Sequence, residues 1–518
     1  MSSPSAFVPA RLLGLFFVTA ALSACQMTPV ETPPIGAGTT SATTSTTTTS
    51  ASDTAASTQE LAMDLSGRHE YQLENGLKVI IKEDHRAPIV MTQIWYKVGS
   101  TDEPIDKGGM SHLLEHMMFK GTPNVSSDDF ERLIAQFGGT NNAFTSYDYT
   151  GYYELFPANY MPLALELEAD RMVNLRLTAD DFGKEHQVVM EERRQRTDDS
   201  PLAKAYESFR QQALPDSPKG ESVIGPMDEL ASITLDDLQA WYDTWYAPNN
   251  ATLVIVGDVD PEATLSEVKR YFGKLPKRSI LARPSVRQKG FNGYKTLTET
   301  QAVQVPVLMM GYNVPSLLTT DTNNKKEAYA LSFAQDVLDG GLSARLEQNL
   351  VRDKGLLTSV GTSYDLIDRG DGLFFIQATP REGVSVQEAE AAIRAEIDKL
   401  VTKPIGQDEI TRAKTSTITG LVYAQDSMAG QARMIGSLQS VGLDDRILSR
   451  LPAELDKVSI QDIKDAAAKY LVKDNLTVIY VMPEDANNDA SNSANIKANN
   501  TMPDATDNTA TAVTANNK

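Results

Sequence analysis

Two stretches of the chain, ITLDDLQAWYDTWYAPNNATLVIV (Ile233 to Val256) and VSIQDIKDAAAKYLVKDNLTVIYV (Val458 to Val481), align without a gap at an offset of 225 residues. In each stretch, apolar residues at helical spacing give way to a turn and then to a run of β-branched residues, which predicts a helix followed by a closing strand. A repeated unit of this kind indicates two homologous halves. The following pairs stand in register: Leu235/Ile460, Asp237/Asp462, Leu238/Ile463, Asn250/Asn475, Thr252/Thr477 and Val256/Val481.

The rest of the body supports a two-half organisation. A length of 518 residues exceeds what one hydrophobic core usually serves. We predict an N-terminal half over 67–276, a linker over 277–297 that is rich in Pro, Gly and basic residues, and a C-terminal half over 298–483. Strand-like segments such as GLKVIIKED and PIVMTQIWYKVGS follow one another directly, which favours antiparallel pairing. The expected fold class is α+β, with mainly antiparallel sheets packed by helices.

Both ends of the chain have compositions that are not typical of a folded core. Residues 1–24 carry a basic residue and an apolar run of about thirteen residues, as in a signal peptide. The sequence LSAC that ends at Cys25 looks like a bacterial lipobox, and Gln26 after it implies the outer membrane; the alternative is an ordinary cleaved leader with an incidental cysteine. The Thr/Ser-rich segment 25–66 is predicted to be a disordered stalk, and the Asn/Ala/Asp-rich segment 484–518 a disordered tail.

The charge balance limits the partners. Acidic residues outnumber basic ones by 69 to 48, for a net charge of -21. Such a surface argues against nucleic acid or an anionic membrane as the main partner. It does not point to a particular substrate, because a solvated acidic surface also serves solubility.

HLLEH, residues 112–116, is the stretch that carries the chemistry. Residues four apart lie on one face of a helix, so His112 and His116 can hold one metal ion. Glu115 lies beside them, where it can take a proton from a water that the metal activates. The alternative is a buried helix whose histidines are merely hydrogen-bonded. Because the chain has only five histidines, this H-x-x-E-H spacing is uncommon by chance and favours a metal site.

A catalytic zinc site needs a third protein ligand. The segment TADDFGKEHQVVMEERRQR is predicted to be a helix that starts after Thr178. Glu185 and Glu192 are seven residues apart and share a face, whereas Glu191 is rotated away. We therefore predict Glu192 as the third ligand and Glu185 as a group that orients or tunes the site. An exposed charged helix is the alternative interpretation, and it applies well to Glu191.

H-x-x-E-H followed about 75 residues later by EHQVVMEE is similar to the inverzincin family of pitrilysin, insulin-degrading enzyme and mitochondrial processing peptidase. The resemblance covers residues 68–483 and implies half of a clamshell-shaped peptidase. It implies zinc bound by His112, His116 and Glu192, with Glu115 and Glu185 as catalytic carboxylates, Glu115 being the general base.

The segment GGTNNAFTSYDYTGYY also resembles a stretch of that family. The resemblance places Asn142, Ala143 and Phe144 on an edge strand that pairs with the backbone of the substrate beside the zinc. A plain buried strand is the alternative.

The second half departs from the pattern of the zinc site. Leu331, Ala334 and Gln335 stand where metal ligands and base would be, so no zinc is expected there. Single-chain members carry an arginine and a tyrosine in a pattern like R-E-K-x-G-L-x-Y; here Val351 and Thr358 take those positions, and Arg352 fits only with a shift of one residue. The resemblance therefore implies a heterodimer in which a homologous subunit supplies the Arg/Tyr pair.

We expect a zinc endopeptidase that cuts peptides or unfolded segments, held by lipid at the periplasmic side of the bacterial outer membrane or soluble in the periplasm. The main alternative is a non-catalytic peptide-binding or assembly subunit, and a scaffold with a structural metal is a further one. Histidine and carboxylate ligands suit Mn²⁺ or Co²⁺ as well as zinc.

Overall fold

The computed structural model describes residues 63–288, 293–321 and 324–484. The predicted signal peptide, Cys25, most of the predicted stalk and nearly all of the predicted tail lie outside these residues. Within the described chain, two mixed sheets are each covered by helices. The prediction of an α+β fold with mainly antiparallel sheets is confirmed.

The N-terminal sheet has the order β1-β2-β6-β3-β5-β4. Its strands are β1 (Arg68–Gln72), β2 (Lys78–Glu83), β3 (Ile89–Tyr96), β4 (Thr140–Thr145), β5 (Thr150–Pro157) and β6 (Ala251–Gly257). Neighbouring strands are antiparallel except β2 and β6, which are parallel. Strands β2 and β3 are consecutive in sequence but do not pair, because the closing strand of the repeat lies between them. Strand β4 is an edge of this sheet.

The C-terminal sheet repeats this arrangement without the first strand, in the order β7-β11-β8-β10-β9. Its strands are β7 (Lys295–Gln301), β8 (Val307–Val314), β9 (Leu357–Tyr364), β10 (Gly372–Pro380) and β11 (Leu476–Pro483). The start of β7 lies inside the predicted linker 277–297, which is a correction to the proposed boundary. Strand β7 is a polar edge strand with an exposed face, so its composition resembles that of a loop.

Fourteen α-helices lie within the described residues. In the N-terminal half they are α1 (Met110–Met117), α2 (Ser127–Gln136), α3 (Met161–Asn174), α4 (Ala179–Arg193), α5 (Pro201–Ala213), α6 (Met227–Ser232), α7 (Leu235–Trp245) and α8 (Pro261–Phe272). In the C-terminal half they are α9 (Lys326–Asp339), α10 (Val386–Thr402), α11 (Gln407–Ala424), α12 (Met428–Val441), α13 (Leu451–Asp456) and α14 (Ile460–Tyr470). None of these helices is long and apolar enough to cross a membrane.

The sequence repeat is also a repeat of local structure. Helices α7 and α14 both begin with a capping box, Thr234 with Asp237 in the first and Ser459 with Asp462 in the second. After each helix a buried asparagine donates its side-chain N–H to the carbonyl of the last helical residue, over 2.9 Å in both copies: Asn250 to Trp245 and Asn475 to Tyr470. These bonds fix the turn that leads into β6 and β11.

Each half sends one helix onto the sheet of the other half. Phe209 of α5 packs over Gly311 of β8, and Gly436 of α12 lies against Trp95 of β3. Neither glycine leaves room for even a methyl group. This reciprocal packing buries the outer faces of both sheets and joins the halves.

The predicted stalk ends earlier than residue 66. The Met63 side chain is only 4% exposed and packs in the same cluster as Trp95 and Met434. Apolar residues at 63 and 65 follow the polar run, so the chain joins the core there. At the other end, the Glu484 N–H donates to the Gln301 carbonyl over 3.1 Å, so that residue extends the sheet rather than starting the tail.

Candidate metal centre

Helix α1 carries the H-x-x-E-H residues and is held at its N-terminus by a buried carboxylate. Glu103 accepts hydrogen bonds from the backbone N–H groups of Gly109 (2.8 Å) and Ser111 (2.6 Å). Burial raises the pKa of Glu103 to about 8. Gly109 has φ 95, a conformation that favours glycine, and so lets the chain turn sharply into the helix. Sequence reasoning missed Glu103, although an acidic residue shortly before a helix is a recognisable signal.

Helix α4 carries the two acidic residues of the site, Glu185 and Glu192. Its N-cap Thr178 accepts a hydrogen bond from the Asp181 N–H, as the sequence predicted. Val189 and Arg193 are buried and fix the rotation of the helix, so that Glu185 and Glu192 face α1 while Glu191 points to solvent. The seven-residue spacing thus delivers both carboxylates to one face.

The structure brings His112, His116 and Glu192 together. Glu192 Oε2 lies 3.8 Å from His112 Nε2 and 3.4 Å from His116 Nε2. One potential ligand atom from each of the three residues lies within 4.8 Å of the others. In a tetrahedral zinc site with bonds of 2.0–2.1 Å, ligand atoms stand about 3.3 Å apart. The donor set therefore fits a single zinc ion with little rearrangement.

In His116 and Glu192, the polar atom that faces away from the predicted metal position contacts another charged side chain. His116 Nδ1 lies 3.1 Å from Glu185 Oε2, and Glu185 Oε1 pairs with Lys120 Nζ at 2.6 Å. Arg196 pairs with Glu192 Oε1, which leaves Oε2 for the histidines. A carboxylate behind a ligating histidine fixes the orientation of the ring. Glu185 thus lies behind His116, at the position predicted for a group that orients the ring.

The pKa values of the two histidines are shifted in opposite directions. Burial lowers the pKa of His112 to about 4, which favours the neutral ring that a metal requires. Its Nδ1 is buried and has no hydrogen-bond partner among the described residues. Burial also disfavours the charged form of His116, but the bonds to Glu185 and Glu192 outweigh it and raise the pKa to about 9. For Glu185 and Glu192, burial opposes ionisation, yet the histidines and nearby cations hold each carboxyl pKa below its usual range.

Glu115 stands apart from this ion-paired set. Its carboxylate is buried and accepts a hydrogen bond of 2.5 Å from the Thr145 hydroxyl at the end of β4. Burial raises the pKa of Glu115 to about 7, against the opposing effect of the Thr145 bond. A carboxylate in this condition can exchange a proton near neutral pH. Thr145 was missed by the sequence reasoning because the contact joins residues 30 apart.

Asn142, Ala143 and Phe144 lie on β4, whose outer edge has no partner strand among the described residues. The Ala143 side chain is buried, while its backbone N–H donates to the Asn142 side chain over 2.8 Å instead of to another strand. The segment is an edge strand and only partly buried, and its pairing with substrate stays a prediction. An extended chain added at this edge would run past Thr145 and Glu115.

Among the described residues, the second half presents no cluster of metal-ligating side chains like that of α1 and α4. Leu331 and Ala334 on α9 are buried in the core, and Gln335 donates to the Thr362 carbonyl over 3.2 Å. Val351 packs against the core, Arg352 lies near Glu347, and the Thr358 hydroxyl donates to the Thr379 carbonyl. None of these last three lines the cleft at the metal centre.

This metal-centre cleft has a volume of about 280 Å³ and opens in front of His112 and Glu115. Besides those two residues and Thr145, three arginines line it: Arg196, Arg210 and Arg433. Sequence reasoning did not identify them, because Arg210 and Arg433 come from α5 and α12, which cross between the halves.

The comparisons with known proteins agree with this geometry. Residues 78–227 match the family model described as Insulinase (Peptidase family M16), and residues 232–417 match the Peptidase M16 inactive domain. The zinc protease PqqE of Helicobacter pylori is 29% identical over 80% of this chain and 93% of its own length. An uncharacterized zinc protease of Mycobacterium bovis is 30% identical over 77% of this chain and 90% of its own.

A solved structure gives the same result for the fold. The crystal structure of a protease from Helicobacter pylori superposes with a TM-score of 0.75 at 27% identity, covering 80% of this chain and 99% of that one. The Insulinase model lies within the half that holds the H-x-x-E-H helix and Glu192, and the inactive-domain model falls mainly on the other half. The chain therefore belongs to the M16 peptidase family.

Proposed function

We propose that this chain is a zinc-dependent endopeptidase that hydrolyses peptides or unfolded polypeptide segments. The observation that carries the proposal is the convergence of His112, His116 and Glu192 beside a buried Glu115, next to a strand edge that no other described strand pairs with. The names of the relatives, which are zinc proteases, support the same reaction class.

A zinc ion held by these three residues would act as a Lewis acid on the peptide carbonyl and make the attacking water more acidic. Glu115 would take the proton of that water and return it to the leaving amine. The edge of β4 orients the peptide by backbone hydrogen bonds. Glu185 keeps the His116 ring in its ligating orientation.

The test compares the wild-type chain with Glu115→Gln and Glu192→Gln. We expect the wild type to hold about one zinc per chain and to cleave a quenched peptide library. Glu115→Gln should keep the metal and lose at least about two orders of magnitude in kcat. Glu192→Gln should lose both metal and activity.

The control is Glu191→Gln, because Glu191 neighbours Glu192 but points to solvent and pairs with Arg194. It should match the wild type in both measurements. Peptide binding without any cleavage that depends on Glu115 would instead favour a non-catalytic peptide-binding or assembly subunit. Reconstitution with Zn²⁺, Mn²⁺ or Co²⁺ separates the candidate ions.

We further propose that full activity needs a homologous subunit that supplies an Arg/Tyr pair. The support is that Val351 and Thr358 occupy those positions and that neither lines the metal-centre cleft. Co-purification from the native envelope should recover such a subunit, and adding it should raise kcat. Full turnover by the isolated chain would contradict this proposal.

We propose, finally, that the protein is exported and anchored by lipid at Cys25 on the periplasmic side of the outer membrane. The apolar leader and LSAC support this location. Cys25→Ala should move the protein from the membrane fraction to the soluble periplasm. An unchanged distribution would favour a soluble periplasmic protein.

A further inference from the structure

A second cavity, of about 620 Å³, lies between the two halves. It is lined mainly by apolar and aromatic side chains of α11, α12 and the β9–β10 region. The segment 146–149 together with Tyr206, Arg210 and Arg433 lines both this cavity and the metal-centre cleft, apart from Asp148, which faces the cavity alone. The two spaces therefore adjoin around the end of β4.

Strand β4 separates two faces of the N-terminal sheet. Thr145 points towards α1 and donates to Glu115, whereas Phe144 packs with Trp95 and Tyr149 on the side covered by α12. Successive side chains of a strand point to opposite faces. A peptide that pairs with β4 would therefore present its side chains alternately to the zinc helix and to the Phe144 side.

Arg433 is a charged residue on the Phe144 side. Its guanidinium carbon lies 5.1 Å from the centre of the Phe144 ring, and the side chain is partly exposed. The other two arginines of the cleft are engaged, Arg196 with Glu192 and Arg210 with the Lys219 carbonyl. No carboxylate among the described residues forms an ion pair with Arg433, although Asp365 lines the same inter-half cavity.

The alternative role for Arg433 is packing alone, by stacking its guanidinium on Phe144. Such stacking leaves the five N–H donors at the edge of the planar group available. Two parallel N–H donors of a guanidinium match the two oxygens of a carboxylate. Arg433 could offer such donors to a peptide that pairs with β4.

We propose that Arg433 and Phe144 form a subsite that selects peptides by a carboxylate, from either an acidic side chain or a free C-terminus. This inference rests on the proposed function, since it requires a peptide paired with β4. The subsite accepts residues whose side chains point away from the zinc helix. Side chains two residues further along such a peptide point to the same side of β4, towards the inter-half cavity.

The test uses the full chain loaded with zinc, in the non-cleaving Glu115→Gln background, and measures peptide affinity by fluorescence anisotropy. One glutamate is moved along an otherwise uncharged peptide and compared with glutamine at each position. We expect Glu to bind about fivefold more tightly than Gln at alternate positions. Amidated and free-acid peptides are compared to separate side-chain from C-terminal carboxylates.

Arg433→Gln should bring the Glu/Gln ratio to about one, and Arg433→Lys should keep part of it. Arg270→Gln is the matched control, because Arg270 is an exposed arginine on α8 that pairs with Glu267 away from the cleft. The control should leave the ratio unchanged. All three variants need urea unfolding curves like that of their parent.

The outcomes distinguish the two proposals. If the Glu115→Gln variant binds no peptide and the wild type cuts none, the proposed function fails and this inference fails with it. If peptides bind, but the Glu/Gln ratio is near one or is insensitive to Arg433→Gln, only this inference is overturned.

Discussion

Three glutamates at the candidate metal centre have different environments, and the difference matches the roles that we propose for them. Glu185 is tied to Lys120 and His116, and Glu192 to Arg196 and both histidines, so both carboxyls have a lowered pKa. Glu115 has a hydroxyl neighbour instead of a cation, and burial raises its pKa to about 7. Ionised carboxylates suit ligation and orientation, whereas a carboxylate near neutrality suits proton transfer.

Glu185→Gln tests the positioning role. The amide cannot hold the His116 ring as firmly, so we expect zinc affinity to fall about 10- to 100-fold. Competition with a chromogenic chelator measures the change, and Glu191→Gln should match the wild type. A large loss of kcat at full zinc occupancy, with affinity unchanged, would show that Glu185 acts on the reaction itself.

The pattern of histidines and glutamates was readable in sequence because helical spacing alone decides which residues share a face. The supporting residues were not. Glu103 precedes α1 locally and was overlooked, whereas Thr145 reaches α1 from a strand whose position depends on the tertiary fold. Arg433 was missed for the same reason, since α12 crosses onto the other half.

At the scale of elements, helix caps and turns were predictable from sequence because residues close together in the chain determine them. The capping boxes at Thr234 and Ser459, and the asparagines that follow, make the repeated unit recognisable at an offset of 225 residues. The order of strands was not predictable in this way. β6 enters between β2 and β3 after more than 150 residues of intervening chain, and no local rule fixes such a pairing.

The helix equivalent to α1 in the second half also keeps a buried acid, Asp336 on α9. Its carboxyl bonds to the Thr417 hydroxyl of α11 over 2.8 Å, and burial raises its pKa to about 7. Between the usual pKa of 3.8 and about 7, the unfolded chain ionises Asp336 while the folded chain keeps it protonated. Its contribution to stability is therefore present at low pH and is lost as the pH rises through this window.

Asp336→Asn keeps an acceptor for Thr417 but cannot ionise. We expect the variant to be more stable than the wild type at pH 8, by about 1–4 kcal/mol, and nearly equal to it at pH 4. Urea unfolding at both pH values measures the difference. Asp465→Asn, at an exposed position, should change the free energy of unfolding by less than about 0.5 kcal/mol. Equal destabilisation of Asp336→Asn at both pH values would show that packing, not ionisation, dominates.

At the scale of the whole molecule, the two halves are joined by the packing of α5 and α12 on opposite sheets. A buried network of charged residues between the halves adds to this contact. Arg369 pairs with Asp102 and Asp148, and Lys219 pairs with Asp148 and Asp368. Removing one partner of such a network leaves an uncompensated buried charge, which is costly. Two homologous halves were evident from sequence, but their mutual burial was not, because a repeat carries no information about the relative placement of its copies.

The contact between Gly436 and Trp95 offers a direct test of this coupling, since the glycine lets α12 lie flat on β3. Gly436→Leu forces the helix away from the sheet, and overpacking of this kind costs about 1–3 kcal/mol or more. We expect a lower unfolding midpoint in urea and faster proteolysis near α12. Gly183→Leu is the control, because a Cβ added at the exposed Gly183 of α4 would have no neighbouring atom within 4 Å.

If α12 acts only as a support, Gly436→Leu should lower stability while the Glu/Gln selectivity at Arg433 persists below the unfolding midpoint. If α12 also places Arg433 over Phe144, as the 5.1 Å stacking indicates, selectivity should fall together with stability. Zinc content should remain near one per chain in either case, because His112, His116 and Glu192 all lie on α1 and α4. Loss of zinc in Gly436→Leu would mean that the two halves fold as one cooperative unit, and that the C-terminal half holds the metal centre together.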